Sequence, residues 1–171
     1  MAFADLNRLS AVWQTCPYPA RLIGIDHGEK TLGLSVSDSG QSIATPLHTI
    51  RRSKFTNDLK ELVQVIEQYN IKGIVFGYPV NMDGSEGPRC QSICDTIMQM
   101  QRPETLGGAF SNMWVGLWDE RLSSSAVDRF LIAEADLSRK RRADVIDKMA
   151  AQHILQGAID FMQGQRRKAG L

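Results

Sequence analysis

An α/β fold with a single mixed sheet is predicted by two features of this chain of 171 residues. Short apolar runs that end at glycine or proline are typical of buried strands, and three of them follow one another near the start. Further on, two such runs alternate with longer segments whose apolar residues recur three and four positions apart, which is typical of helices that cover a sheet. The predicted order is β-β-β-α-β-α-β-α-α, within one domain.

The first three predicted strands form an antiparallel unit. The run "RLIGIDHG" is apolar and ends at glycine, and "TLGLSVSDSG" follows after a tight turn. In the second run Leu32, Leu34 and Val36 alternate with small polar residues, which predicts an amphipathic strand. The third run, "SIATPLHTI", contains Pro46, and proline lacks the amide that a central strand must donate. We therefore expect the third strand at an edge of the sheet.

The rest of the chain predicts two more strands and four helices. "FTNDLKELVQVIEQYN" predicts a helix, and "IKGIVFGYP" a strand that a right-handed crossover places parallel to the first. "QSICDTIMQMQ" and "SSSAVDRFLIAEA" predict helices on either side of the strand "SNMWVGLWDER". "DLSRKRR" is expected to be a basic connector to the last helix, "ADVIDKMAAQHILQGAIDFMQ". Residues 1–20 are expected to form an extension with a short helix, 21–163 the folded domain, and 164–171 a basic tail.

Composition narrows the class of protein. The net charge is +1, so the overall charge does not point to nucleic acid, and only the runs 139–142 and 166–168 are strongly basic. Cys16, Cys90 and Cys94 fit neither a disulfide framework nor a zinc site, which favours reduced thiols in the cytoplasm. The sequence shows no signal peptide and no apolar run long enough to span a membrane. We expect a cytoplasmic protein without a membrane partner.

Carboxylates stand at the ends of three predicted elements. Asp26 ends the first strand, Asp119 and Glu120 end the fifth, and Asp147 begins the apolar stripe of the last helix. Because the carboxyl ends of parallel strands meet at one edge of a sheet, we expect Asp26 and Glu120 in one crevice, to which the helix adds Asp147. The alternatives are a turn role for Asp26 and a helix-dipole role for Asp147, which Asp144 fills better. The strand pleat decides whether Asp119 or Glu120 faces inward.

Three clustered carboxylates predict a cation between them, because like charges at short range repel one another. Carboxylate oxygens are hard ligands and suit Mg²⁺ or Mn²⁺. Two such ions roughly 3.5–4 Å apart would activate water and stabilise the leaving oxygen in phosphodiester hydrolysis. The residues therefore predict a metal-dependent nuclease whose metal ligands and catalytic residues are Asp26, Asp147 and either Glu120 or Asp119.

Four motifs over residues 21–162 resemble the YqgF/RuvX family of bacteria in order and spacing: "GIDHGEKTLGLSVSD", "GYPVNMDGSEGPRC", "DERLSSSAV" and "DVIDKMAAQHILQGAID". The resemblance implies an RNase H-like fold with sheet order 3-2-1-4-5 and helices on both faces. It implies Asp26, Glu120 and Asp147 as the acidic catalytic set, with Glu120 rather than Asp119 as the inner acid. It also implies a cytoplasmic nuclease that matures the 5′ end of pre-16S rRNA. Thr31 departs from the family, where arginine is frequent.

Further residues are candidate substrate contacts. Lys30 lies in the first turn, and Asn81 and Arg89 bound a glycine-rich loop whose backbone can approach a nucleic acid closely. The alternatives are a solvated lysine and a capped loop. Arg121 is expected to pair with an acid or with the scissile phosphate. In the basic run 139–142, Arg141 and Arg142 would hold a phosphodiester backbone, and a solvated face is the alternative.

Several functions stay open at this level. A nuclease for Holliday junctions in DNA uses the same acids and requires a dimer, so both a monomer and a homodimer are possible. A nucleic-acid-binding factor without activity would have no need for the acids. An actin-like ATPase, suggested by "DHGEKTLG", needs a second domain that a chain of this length lacks. His27 is expected to point away from Asp26, His153 to be structural, and Trp114 and Trp118 to lie in the core.

Overall fold

The computed structural model describes residues 2–122 and 139–171, with the backbone alone for residues 139–145. Its five-stranded sheet has the order β3-β2-β1-β4-β5, so the predicted order is confirmed. The strands are β1 (Arg21–His27), β2 (Thr31–Ser37), β3 (Ala44–Arg51), β4 (Ile71–Tyr78) and β5 (Trp114–Asp119).

Helices cover both faces of this sheet. They are α1 (Phe3–Asn7), α2 (Leu9–Val12), α3 (Phe55–Tyr69), α4 (Pro88–Met100) and α5 (Arg139–Lys168). Single 3₁₀ turns occur at Trp13–Thr15, Thr105–Gly108 and Glu120–Leu122. The helix predicted over "SSSAVDRFLIAEA", with Ser123 and Ser124, lies outside the described residues. No helix in the described parts of the chain is long and apolar enough to cross a bilayer.

Strand pairing follows the prediction. β1 is antiparallel to β2 and parallel to β4, and β4 is parallel to β5. β3 pairs only with β2 among the described strands, so Pro46 lies in an edge strand as its missing amide requires. The carboxyl ends of β1, β4 and β5 therefore meet at one edge of the sheet, where the acids of the sequence were expected.

Two apolar cores lie on opposite faces of the sheet. Ile23 and Ile25 of β1 pack in the core on the side of α3 and α4. Leu22 packs in the second core, with Leu155 and Ala158 of α5. Burial of each such side chain stabilises the fold by about 1.5–3 kcal/mol. The alternation fixes the direction of the next residues: even-numbered positions of β1 face α5, and odd-numbered positions face α3 and α4.

β2 differs from the predicted amphipathic strand, because both of its faces are covered. The face with the small polar residues packs under α5 rather than facing solvent. There the Oγ of Ser35 donates a hydrogen bond of 2.7 Å to the carbonyl of Ala151. The Oγ of Ser37 accepts one of 2.9 Å from the amide of Leu22. Hydroxyl groups suit this face because each satisfies a backbone group that the packing removes from water.

The predicted basic connector is wrong for residues 139–142, which form the start of α5. Arginine and lysine are good helix formers, so the run extends the helix instead of interrupting it. Residues 166–168 form its last turn, where the helix dipole favours cations. At the other end of the chain, the predicted short helix is found as α1 and α2, and Ala4 and Leu9 are buried against the domain. The domain boundaries themselves stay a prediction.

Candidate active site

Asp26 is the central acid, near the carboxyl end of β1. Gly33 of β2 is its register partner, and on the other side Gly77 of β4 directly follows Phe76, the register partner of Ile25. A Cβ added at Gly33 would overlap the backbone carbonyl of Asp147. A Cβ added at Gly77 would lie 2.5 Å from Oε1 of Glu120. The two glycines therefore make room for Asp147 and Glu120 on either side of Asp26.

Asp147 is held by β2 as well as by its own helix. The hydroxyl of Thr31 donates a hydrogen bond of 2.7 Å to Oδ2 of Asp147. One helical turn further along, the bond from Ser35 to Ala151 attaches α5 to the same strand. Two hydroxyl groups of one strand face thus set the distance between α5 and the sheet, and the first of them also orients the carboxylate.

Glu120 and Asp119 have different partners. The Nη2 and Nε of Arg121 donate to Oδ2 of Asp119 at 2.7 and 3.1 Å, and the amide of Arg121 donates to Oδ1 at 2.9 Å. Burial raises the pKa of Asp119, but these bonds and the charge of Arg121 together outweigh it and leave the pKa below its usual range. Glu120 lies instead against Gly77, and the charge of Asp26 acts on it. Glu120 is therefore the acid of this pair that faces Asp26.

The electrostatics link these acids. Burial and, second to it, the charge of Asp147 raise the pKa of Asp26 to about 6, and Arg89 opposes both. Burial also raises the pKa of Glu120, with a second contribution from Asp26, and Arg89 again acts in the opposite direction. Arg89, an exposed residue at the start of α4, is thus close enough to lower the repulsion between the acids.

His27 points to the opposite face, as predicted. Its side chain is buried, with Nε2 3.0 Å from Oγ1 of Thr96 on α4. Burial, together with the cations Arg52 and Arg89, lowers the pKa of His27 to about 4, so the imidazole is neutral near pH 7. Adjacent residues of one strand therefore carry an acid on one face and a neutral base on the other.

The other predicted contacts are only partly brought to the acids. Lys30 is exposed in the turn before Thr31. The side chain of Asn81 donates to Oγ of Ser85 at 2.9 Å within its own loop, and the carbonyl of Asn81 accepts from Arg121 at 3.4 Å. Arg121 pairs with an acid, Asp119, which is one of the two expected alternatives. Arg141 and Arg142 lie near the start of α5, with side chains outside the described residues.

Sequence reasoning missed a network that anchors the loop before Arg89. Oε2 of Glu86 accepts a hydrogen bond of 2.7 Å from the hydroxyl of Tyr78, and Oε1 accepts one of 2.9 Å from Nη2 of Arg8. No local signal could reveal it, because Arg8 and Glu86 are far apart in the chain. Thr31 was also missed as a positioning residue, although its place on the polar face of β2 was visible.

The site suits a divalent cation in chemistry and charge. Carboxylate oxygens are the ligands that Mg²⁺ and Mn²⁺ prefer, and mutual repulsion that raises the pKa of Asp26 is what a cation would relieve. Within residues 2–122 and 146–171, however, no three acidic, histidine or cysteine side chains are close enough to hold one ion together. The acids are thus grouped but not assembled into a closed metal cage.

Solved structures identify the class of fold. The chain is similar to T. thermophilus RuvC in complex with a Holliday junction substrate, with a TM-score of 0.52 and 15% identity over 85% of this chain and 96% of that one. At this identity the likeness establishes the fold alone. The protein therefore has the RNase H-like fold of the resolvases, with Asp26 and Glu120 at the carboxyl ends of parallel strands and Asp147 on α5.

Sequence comparison identifies the family. The chain belongs to the RuvX family, described as Holliday junction resolvase, which matches residues 20–161. A relative from Rhodospirillum centenum, provisionally named pre-16S rRNA nuclease, is 48% identical over 99% of this chain and 88% of its own length. A relative of the same provisional name from Paramagnetospirillum magneticum is 51% identical over 84% of this chain and 88% of its own length.

Proposed function

We propose that this protein is a metal-dependent nuclease that hydrolyses phosphodiester bonds at the 5′ end of pre-16S rRNA in the cytoplasm. The observation that carries the proposal is the arrangement of Asp26 between Gly33 and Gly77, which brings Asp147 and Glu120 to the same face of the sheet. Membership of the RuvX family and the names of its relatives support the same activity and substrate.

Asp26, Glu120 and Asp147 would hold the divalent metal, Mg²⁺ or Mn²⁺. When bound, the metal supplies activation of water and stabilisation of charge on the phosphate oxygens. Thr31 orients the carboxylate of Asp147 in advance, and a ligand that is already oriented loses less entropy when the metal binds. A cation beside these acids would also offset the repulsion that raises the pKa of Asp26 and of Glu120, and would favour their ionised forms.

Arg89 is the cation best placed for the scissile phosphate, because its charge already reaches both Asp26 and Glu120. Lys30 would contact the substrate from the first turn. Arg121 and Asn81 would contribute to substrate binding from the loop side of the site, with Arg121 kept in place by Asp119. Arg141 and Arg142, near the start of α5, are the remaining proposed substrate contacts.

The test is cleavage of an RNA that carries the unprocessed 5′ end of 16S rRNA, with Mn²⁺, by the wild type and by Asp26→Asn. Asp95→Asn is the matched control, because it removes an exposed aspartate of α4. We expect cleavage by the wild type and the control, and no cleavage by Asp26→Asn or in the presence of a chelator. A four-way DNA junction in parallel reactions tests the alternative substrate, and cleavage of the junction but not of the RNA would overturn the proposed one.

A further inference from the structure

A cavity of about 740 Å³ lies at the opposite end of the molecule from the acids. The 3₁₀ turn after α2 and the end of α5 form its walls. Arg166 lies nineteen residues after Asp147 on α5, and a rise of about 1.5 Å per residue separates the two positions by about 28 Å. The residues that line the cavity include Trp13, Tyr18, Gln163, Arg166 and Arg167.

Arg166 is held in one orientation by its surroundings. Its guanidinium carbon lies 4.1 Å from the ring centroid of Tyr18, and its Nη2 donates a hydrogen bond of 2.9 Å to Oε1 of Gln41. Gln41 is fully buried and is itself tied to the chain before β1, since its Nε2 donates to the carbonyls of Pro17 and Ala20 at 2.7 and 3.0 Å. A cation fixed in this way is preorganised for a ligand.

Part of the guanidinium is unused. Nη1 of Arg166 is buried and has no hydrogen-bond partner among the described residues. An unpaired buried donor is unfavourable, and a small movement of the side chain would present it to an anionic oxygen in the cavity. Arg167, which is exposed, adds a second cation to the cavity, and the described residues that line it include no acidic side chain. The charged side chains of the cavity therefore favour an anion.

The aromatic residues favour a ligand with a flat ring. Tyr18 is 56% exposed and Trp13 is partly buried, and both line the cavity. Aromatic side chains beside arginine are the combination on which proteins stack nucleobases while they neutralise phosphates. Gln163 adds an amide group at the wall, although its Nε2 is already bonded to the carbonyl of Gln41 at 2.8 Å.

We propose that this cavity binds a nucleotide, with the phosphate on Arg166 and Arg167 and the base against Tyr18 or Trp13. The nucleotide is either part of the RNA that reaches the acids, in which case the inference rests on the proposed function, or a free mononucleotide. At the spacing of about 3.4 Å per nucleotide along a B-form strand, roughly eight nucleotides would connect the cavity with the acidic site.

Binding is measured by fluorescence anisotropy with a labelled RNA of about twelve nucleotides and, separately, by calorimetry with adenosine monophosphate. All proteins carry Asp26→Asn, which keeps the RNA intact. Arg167→Gln removes one exposed cation of the cavity, and Arg166→Lys keeps the charge but removes the planar fork. Arg102→Gln is the control, because it removes an exposed cation at the end of α4, on the other face of the sheet.

If the nucleotide is part of the RNA, Arg167→Gln weakens RNA binding about fivefold at 0.1 M salt and lowers the slope of log K against log salt by about 0.7. If the nucleotide is free, Arg167→Gln and Arg166→Lys both lose measurable binding of adenosine monophosphate, and their affinity for the RNA is unchanged. Arg102→Gln changes neither the affinity for the RNA nor the affinity for adenosine monophosphate. Equal affinities of the cavity variants and the control for both probes, with unchanged melting curves, would overturn the proposal. Because no cleavage is measured, this result is independent of whether the protein is a nuclease.

Discussion

The hydroxyl of Thr31 donates a 2.7 Å hydrogen bond to Oδ2 of Asp147, a residue 116 positions later in the chain. This bond joins the first hairpin of the sheet to the last helix at the level of Asp26. It also determines which way the carboxylate of Asp147 points before any substrate or metal arrives. We therefore expect the position after Lys30 to act on the proposed site through Asp147.

Thr31→Val is expected to reduce cleavage about tenfold and to raise the Mn²⁺ concentration for half-maximal activity by a similar factor, because the carboxylate of Asp147 loses its orienting donor. Thr31→Ser retains a hydroxyl and is expected to recover most of the loss. A metal titration of the three proteins makes the comparison. Equal metal dependence of the valine variant and the wild type would show that Thr31 does not position Asp147.

Gly33→Ala is expected to destabilise the protein by about 1–3 kcal/mol and to reduce cleavage, because the added methyl group meets the backbone of Asp147 and α5 must move away from β2. Gly164→Ala is the control, and it lies on α5, the helix that Gly33 packs against. A Cβ there meets nothing within 4 Å, so better helix propensity should raise stability by up to about 1 kcal/mol. Chemical denaturation measures the free energy of unfolding of both variants and of the wild type. A Gly33 variant as stable as the wild type would show that the close packing is not required.

Asp26→Asn is expected to stabilise the metal-free protein above pH 6 by up to about 3 kcal/mol. The pKa of Asp26 is raised to about 6 in the folded state, so the folded protein binds more protons than the unfolded chain between about pH 4 and pH 6. Stability must therefore fall as the pH rises through this range, and the asparagine variant lacks that fall. The measurement is the free energy of unfolding of the wild type and of Asp26→Asn at pH 4 and pH 7, with chelator present. A difference between the two proteins that grows toward low pH would contradict the prediction.

Glu120→Gln is expected to lower cleavage by more than about 100-fold, while Asp119→Asn lowers it less than about tenfold. Glu120 faces Asp26, whereas Asp119 acts through Arg121. The side-chain oxygen of an asparagine at position 119 can still accept a hydrogen bond from Arg121. Cleavage rates at saturating Mn²⁺ separate the two acids, and melting curves show whether either variant unfolds. A greater loss in the Asp119 variant would make Asp119 the inner acid.

Local pattern was sufficient for the five strands and for the positions of Asp26 and Asp147. The edge position of β3 follows from Pro46, since a missing amide is a property of one residue. The place of Asp147 follows from the apolar stripe of its helix, which includes the buried Ala151, Leu155 and Ala158. The opposite directions of Asp26 and His27 follow from the alternation of a strand, which needs no knowledge of what covers either face.

Only the tertiary structure decided how these pieces meet. It covers the small polar face of β2 with α5, so that Thr31 and Ser35 bind the helix instead of water. It also pairs Asp119 with Arg121 and leaves Glu120 beside Asp26, where sequence alone had only a resemblance to choose between them. The physical reason is the range of the interactions. Propensity and alternation act between near neighbours in the chain, whereas the contacts of α5 with β2 exist only after the chain has folded.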